Sequence, residues 1–279
     1  MKNEFILQFM PPYSMSILTV LMDYNSGRVG WRLTVRIESY FEDQIYALCK
    51  AAGMRYKPDE RCYMCGDTDL SDIGHYNWPS GEKKVGMNQG YFLGTERELL
   101  SLFNRERGLC IYTGAGISRA AGVWDANQLE ENLMLTSLPD FLTKLITHPD
   151  WPRSVVSTFL RQLLNSTPTP AHRTIETLRR KFGCIVWTEN RDKLHQKCGT
   201  PCIERQNFKR NSFLLKNKTL LVIGVSADHS DLIKLYRERN PNKGIAVIDK
   251  IVPSYISQGD IYFDLDVQFA LPMLEHNTM

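Results

Sequence analysis

The stretch LCIYTGAGIS, Leu109 to Ser118, decides the fold of this chain. Its first five residues are apolar, aromatic or β-branched without alternation, which is what a strand buried on both faces of a parallel sheet requires. Gly114 and Gly116 follow at once and read as a tight strand-to-helix turn. Two glycines there let the backbone approach a phosphate, and the next helix offers its amides and positive dipole end. Position 119, where the usual dinucleotide fingerprint has a third glycine, is Arg119, so this is not the ordinary dehydrogenase pattern. On its own, the G-x-G reads equally well as a structural turn.

Outward from this stretch, three more short β-branched runs read as buried strands: Cys184 to Thr188, Thr219 to Gly224 and Gly244 to Asp249. Helices are predicted between them. Thr95 and Glu98 form a capping box opening TERELLSLF, and other helices start at Ser137 or Pro139, run from Pro152 to Asn165, and run from near Thr169 to Gly183. Strands alternating with helices predict an α/β doubly wound parallel sheet over residues 95–279. Residues 1–94 read as a small α+β extension. Within it, a hairpin over 17–37 turns at Asn25-Ser26-Gly27, a helix lies within Glu38 to Ala52, and 53–94 is loop-rich.

Composition is that of an ordinary globular protein, with 43% hydrophobic and 23% charged residues in 279. The formal charge is +3, and basic residues are scattered among acidic ones, which gives no support to nucleic-acid binding. No run approaches the roughly 18 apolar residues of a membrane span, and Glu4 and Gln8 interrupt the apolar start. No membrane partner and a cytoplasmic location are expected. Seven cysteines without framework spacing fit a reducing compartment. Cys62-Tyr63-Met64-Cys65-Gly66 has the spacing of a zinc knuckle, which His75 or the pair Cys198 and Cys202 could complete. The competing reading is two ordinary loop cysteines, and no metal is assigned.

In an open α/β sheet, ligands bind outside the carboxyl ends of the strands, so the residues just after each strand carry the functional signal. Here they are GAGIS followed by GVWDAN (Gly122 to Asn127), PTPAH (Pro168 to His172), TENRDKLH (Thr188 to His195) with QKCG after it, and Gly224-Val225-Ser226. In content and order these blocks resemble the sirtuin family, whose counterparts read GAGIS with GIPDFR, PNPAH, TQNIDGLH and glycine-threonine-serine. The resemblance implies a sirtuin-like fold and NAD, a small-molecule nucleotide, as ligand. It implies that Gly114, Ala115, Gly116 and Ile117 cradle the pyrophosphate, and that Gly224, Val225 and Ser226 hold phosphate or the adenosine ribose. Asp125, Asn190 and Asp192 would lie toward the nicotinamide end. Asp249, ending its strand, can accept ribose hydroxyls, as acidic residues do in other nucleotide folds.

The departures from the family pattern cluster at the reacting end. Ala126 and Asn127 replace a phenylalanine and an arginine, and Glu189 and Arg191 bring charge into a block the family keeps largely uncharged. Gln206 in CIERQNF falls where the family has its general-base histidine. An amide cannot take a proton near neutral pH, and losing a placed base costs on the order of 10²–10⁴ in rate. Only residues 207–218 remain before the next strand, an interval the family fills with a zinc module and a peptide-binding segment. Three expectations follow. The first is an enzyme cleaving the nicotinamide–ribose bond as a hydrolase or ADP-ribosyl transferase without an acyl-lysine peptide, with Asp192 and Glu189 stabilising developing positive charge and Asn190 orienting the ribose or a water. The second is an NAD-dependent lysine deacylase. The third is a sensor or scaffold that binds NAD or ADP-ribose without chemistry.

Overall fold

The computed structural model describes residues 2–9, 16–23, 26–36, 42–58, 62–66, 91–103 and 108–278. They form two compact units, one from residues 1–80 and 124–165, the other from 81–123 and 166–279. In the first, strands β1 (Lys2–Gln8), β2 (Ile17–Asp23) and β3 (Arg28–Arg36) precede helix α1 (Glu42–Ala51) and strands β4 (Arg55–Lys57) and β5 (Cys62–Gly66). They make a sheet of order β1-β2-β3-β5-β4 with antiparallel pairings. The hairpin turns at Gly27, which adopts φ +67° and donates its amide to the Asp23 carbonyl at 2.9 Å. Asn25 of that turn and His75, the third zinc candidate, lie outside the described residues.

The chain enters the second unit with β6 (Phe92–Leu93), α2 (Glu96–Ser101) and β7 (Leu109–Thr113). It returns to the first with α3 (Ala126–Asn132), α4 (Leu138–Thr147) and α5 (Trp151–Asn165). Leu138, Phe141, Leu142 and Leu145 form a buried stripe on α4 at helical spacing. Phe141 meets Phe9 edge to face at 5.3 Å, α4 packs on α1, and α5 packs on β2 and β3. The sequence expectation kept these helices with residues 95–279. Periodicity marks an apolar stripe without saying what covers it, and here α5 lies on the amino-terminal sheet while α4 packs against α1 and α5.

Strand β5 corrects the zinc reading. Side chains alternate along a strand, so Cys62 and Cys65, three positions apart, point to opposite faces. Cys62 is buried, whereas Cys65 lines a cavity of about 390 Å³ with Trp31, Ile146, Asp150 and Arg153. Burial, reinforced by Cys49, pushes the Cys65 thiol up to about 12. Cys198 and Cys202 belong to the other unit, and among the described residues no group of three metal-ligating side chains converges.

The second unit continues with α6 (Pro170–Phe182), β8 (Ile185–Thr188), α7 (Leu194–Lys197), β9 (Cys202–Glu204), α8 (Phe208–Asn211), β10 (Thr219–Ile223), α9 (Leu232–Arg239), β11 (Ala246–Asp249), β12 (Ile261–Asp264) and α10 (Val267–Thr278). Its seven strands run in the order β6-β12-β11-β10-β7-β8-β9, with parallel pairings throughout. Alternate residues of β7 enter different cores. Leu109 and Ile111 pack with Ile175, Leu178 and Leu271, while Cys110 and Tyr112 pack with Trp187, Phe208 and Tyr236. Burial on both faces explains the uninterrupted apolar run. From β7 the chain builds outward to β8 and β9, then crosses back to β10, β11 and β12 on the other side. The switch point, where such folds open a crevice, therefore lies between the carboxyl ends of β7 and β10.

Candidate functional site at the carboxyl end of the parallel sheet

Gly114 ends β7 and caps a 3-10 turn over Ala115–Ala121, while Gly224 ends β10 at φ +61°. The amides of Gly114 and Gly116 donate to the carbonyls of Ile223 (3.0 Å) and Gly224 (2.9 Å). A Cβ on Gly116 would fall 2.6 Å from the Gly224 Cα, and one on Gly224 would fall 2.8 Å from the Gly116 Cα. These glycines thus let the two switch-point loops meet backbone to backbone, and two of their amides are engaged in that contact. Ile117 and Val225 are buried beneath the loops, Ala115 is half-buried, and Ser226 is exposed. Asp249 ends β11 half-buried, its Oδ1 accepting from the amides of Lys250 (2.7 Å) and Ile251 (3.3 Å). Burial raises its carboxyl, against those amides and the Arg119 charge.

On the α6 side of β7 and β8, a buried network centres on Ser118, a residue the sequence reading quoted in its motif but did not single out. The Ser118 hydroxyl donates to Asp192 Oδ2 at 2.6 Å and accepts from Asn190 Nδ2 at 3.2 Å, with His172 Nε2 at 3.5 Å. Asn190 Nδ2 also donates to the Gly114 carbonyl at 2.8 Å, which ties the β8 loop to the β7 loop. Asp192 Oδ1 accepts the Leu194 amide at 2.9 Å, so both carboxylate oxygens are occupied in a residue only 4% exposed. Burial raises the Asp192 carboxyl, and the Ser118 and Leu194 donors oppose it. The two histidines of the quoted motifs lie beneath, rings 4.8 Å apart. His172 Nδ1 accepts from Thr169, and His195 Nε2 bonds Thr113 Oγ1 at 2.8 Å, leaving a buried Nδ1 without a partner. Burial lowers them to about 3 and about 4, so both imidazoles are neutral.

Across the sheet, alternation sends Tyr112 and Glu189 toward the other core. The Tyr112 hydroxyl lies 2.9 Å from Glu189 Oε2 and 2.7 Å from Ser230 Oγ, a pair of partners the sequence did not reveal. Burial raises the half-buried Glu189 carboxyl to about 7; the Tyr112 hydrogen bond and the Arg205 charge pull it down, and Asp228 pushes it up. Gln206 is exposed and donates to Glu204 Oε2 at 2.8 Å. Residues 208–215 fold as α8 and a 3-10 turn whose Phe208 and Leu215 fill the sheet face. Asp125 belongs to the first unit, where its carboxylate accepts the Gln128 amide at 2.9 Å and caps α3.

A parallel doubly wound sheet with glycine-bearing loops joined at its switch point, and with acids and an amide at its strand ends, defines an α/β fold of the crevice-binding class. The solved structures narrow it. The chain is similar to Sir2 bound to an acetylated peptide (17% identity, TM-score 0.52, covering 66% of this chain and 99% of that one). It is similar to a complex of Sir2 with a p53 peptide and NAD+ (17%, TM-score 0.51, 66% and 99%) and to a Sir2 homolog–NAD complex (15%, TM-score 0.54, 68% and 96%). The fold is sirtuin-like. No family model matches the chain, and no curated protein does.

Proposed function

We propose that this chain binds NAD across the switch point between β7 and β10 and breaks its nicotinamide–ribose bond, as a hydrolase or ADP-ribosyl transferase that does not use an acyl-lysine peptide. The observation that carries the reading is Asn190, whose amide nitrogen is pinned to Gly114 and Ser118 with Asp192 buried behind. A half-buried amide oxygen held at a strand end is a preorganised acceptor for a ribose hydroxyl. In this reading Ala115 and Arg119 meet the diphosphate, with Gly114, Gly116 and Ile117 shaping the turn. Ser226, on the loop formed by Gly224 and Val225, and the Asp249 carboxylate receive the other ribose. The NAD held in two of the similar Sir2 structures supports the choice of ligand.

Two features argue against protein deacylation. Gln206 cannot act as a base, and the interval after it is taken up by turns that close the hydrophobic core. The test is nicotinamide release from NAD, with and without an acetylated peptide, beside calorimetry of NAD binding. Release without peptide is expected. Release only with peptide makes the chain a deacylase, binding without release makes it a sensor, and absence of both removes the proposal.

A further inference from the structure

We infer that Glu189 is the general base of the proposed reaction, taking the proton from the oxygen nucleophile that attacks the ribose C1′, and that this nucleophile is water or a small alcohol. This inference rests on the reading of the chain as an NAD-cleaving enzyme and adds to it the residue that activates the acceptor. Atoms and charge balance in the step. The C1′–N bond breaks with its electron pair going to the pyridinium nitrogen, which leaves as neutral nicotinamide. The acceptor oxygen bonds C1′, and its proton passes to the Glu189 carboxylate.

The geometry reaches Glu189 by placement, with five other groups set aside. Asp192 has both oxygens engaged and lies buried behind Ser118. His172 and His195 are buried imidazoles held neutral far below neutral pH, and Gln206 is an amide turned onto Glu204. Asp249 ends β11, with β10 between it and β7. Glu189 immediately precedes Asn190 and stands at the carboxyl end of β8, beside the switch point. One of its oxygens is held by Tyr112, whose hydroxyl also meets Ser230. Ser230 also donates to this carboxylate, so two hydroxyls orient it and stabilise the ionised form that a general base needs. The groups facing it are Tyr112 from β7, Arg205 after β9, Asp228 and Ser230 after β10, and Tyr255 after β11. Burial, helped by the Asp228 charge, holds its carboxyl at about 7, within reach of the working pH of a base.

The experiment is the pH dependence of kcat/KM for nicotinamide release by the full chain, with NAD affinity measured separately. The wild type is expected to show a rate that rises with pH to a plateau, with a midpoint about 7. Glu189→Gln keeps an acceptor for Tyr112 and is expected to lower kcat by about 10²–10⁴ and abolish the rise, with NAD affinity within about threefold. In Glu189→Ala, azide, which needs no deprotonation, is expected to restore nicotinamide release and yield ADP-ribosyl azide. Tyr112→Phe keeps the carboxylate but removes a donor to its ionised form, so the midpoint is expected to move up. Glu189→Gln turnover equal to wild type, or an unmoved midpoint in Tyr112→Phe, would each overturn the inference while leaving NAD cleavage intact. A wild type that binds NAD and releases no nicotinamide overturns both.

Discussion

Gly116 and Gly224 touch backbone to backbone at the switch point: the Gly116 amide bonds the Gly224 carbonyl at 2.9 Å, and a Cβ on either would collide with the Cα of the other. Gly224→Ala combines that collision with a left-handed backbone at φ +61°. It should cost about 2–4 kcal/mol, the sum of overpacking and left-handed strain. Gly122→Ala is the control, because Gly122 sits at φ +76° with open space around its Cβ position. It should lose only about 1–2 kcal/mol. Urea denaturation of both variants checks this, and equal losses would mean that the close approach does not constrain the loops.

Ser118→Ala removes the hydroxyl that donates to Asp192 and accepts from Asn190. A buried carboxylate oxygen left without its donor costs about 1–3 kcal/mol. The sign with pH follows from the raised Asp192 carboxyl. An acid whose folded pKa lies above its unfolded value contributes stability at low pH that is lost as pH rises through the folded value. Removing Ser118 raises it further, so the variant should be penalised more at pH 7 than at pH 4. Denaturation at the two pH values reads the difference, and a penalty independent of pH would separate Ser118 from the ionisation of Asp192.

Local signals in the sequence carried much of this fold. The Thr95–Glu98 capping box forms as read, and the helix expected from Thr169 to Gly183 is capped by those two residues, with Gly183 at φ +68°. The central strands β7, β8, β10 and β11 were legible because burial on both faces leaves a continuous apolar run. The edge strand β9 was not, since Cys202–Glu204 is three residues long and half-buried. The Asp125–Gln128 capping box was present as D-x-x-Q but was read only as part of a motif block. For the site, the strand-end motifs pointed to the loops that meet at the switch point. Ser118 as a hub, and Tyr112 with Ser230 as partners of Glu189, depend on contacts between residues 54 to 118 positions apart, which no local pattern encodes.

The opposite orientations of Cys62 and Cys65 predict that a strong chelator leaves the thermal midpoint unchanged. Cys62→Ser should still destabilise by about 1–3 kcal/mol, because it places a hydroxyl where a buried thiol packs. Calorimetric melts with and without chelator check both outcomes. A midpoint that falls on chelation, together with bound zinc in the native protein, would require β5 to present the two thiols on one face.

Two buried histidines and the half-buried Glu189 set opposing slopes of stability against pH. His172 and His195, lowered to about 3 and about 4, stay neutral in the fold while the unfolded chain protonates them near the ordinary imidazole value of 6.5. Their contribution is complete above that value and is lost as pH falls toward the folded values. Glu189, raised to about 7, does the reverse: between pH 5 and 6 it holds a proton in the fold that the unfolded chain has released. In that window the unfolded state binds two protons more through the histidines and one fewer through the glutamate. The three together should give a slope of about 1.4 kcal/mol per pH unit. Glu189→Gln deletes the opposing proton, so its slope between pH 5 and 6 should steepen by about 1.4 kcal/mol per pH unit. Urea midpoints at several pH values measure both slopes. If they coincide, Glu189 is already ionised at pH 5.5, and the desolvated carboxyl that its position at the end of β8 implies does not exist.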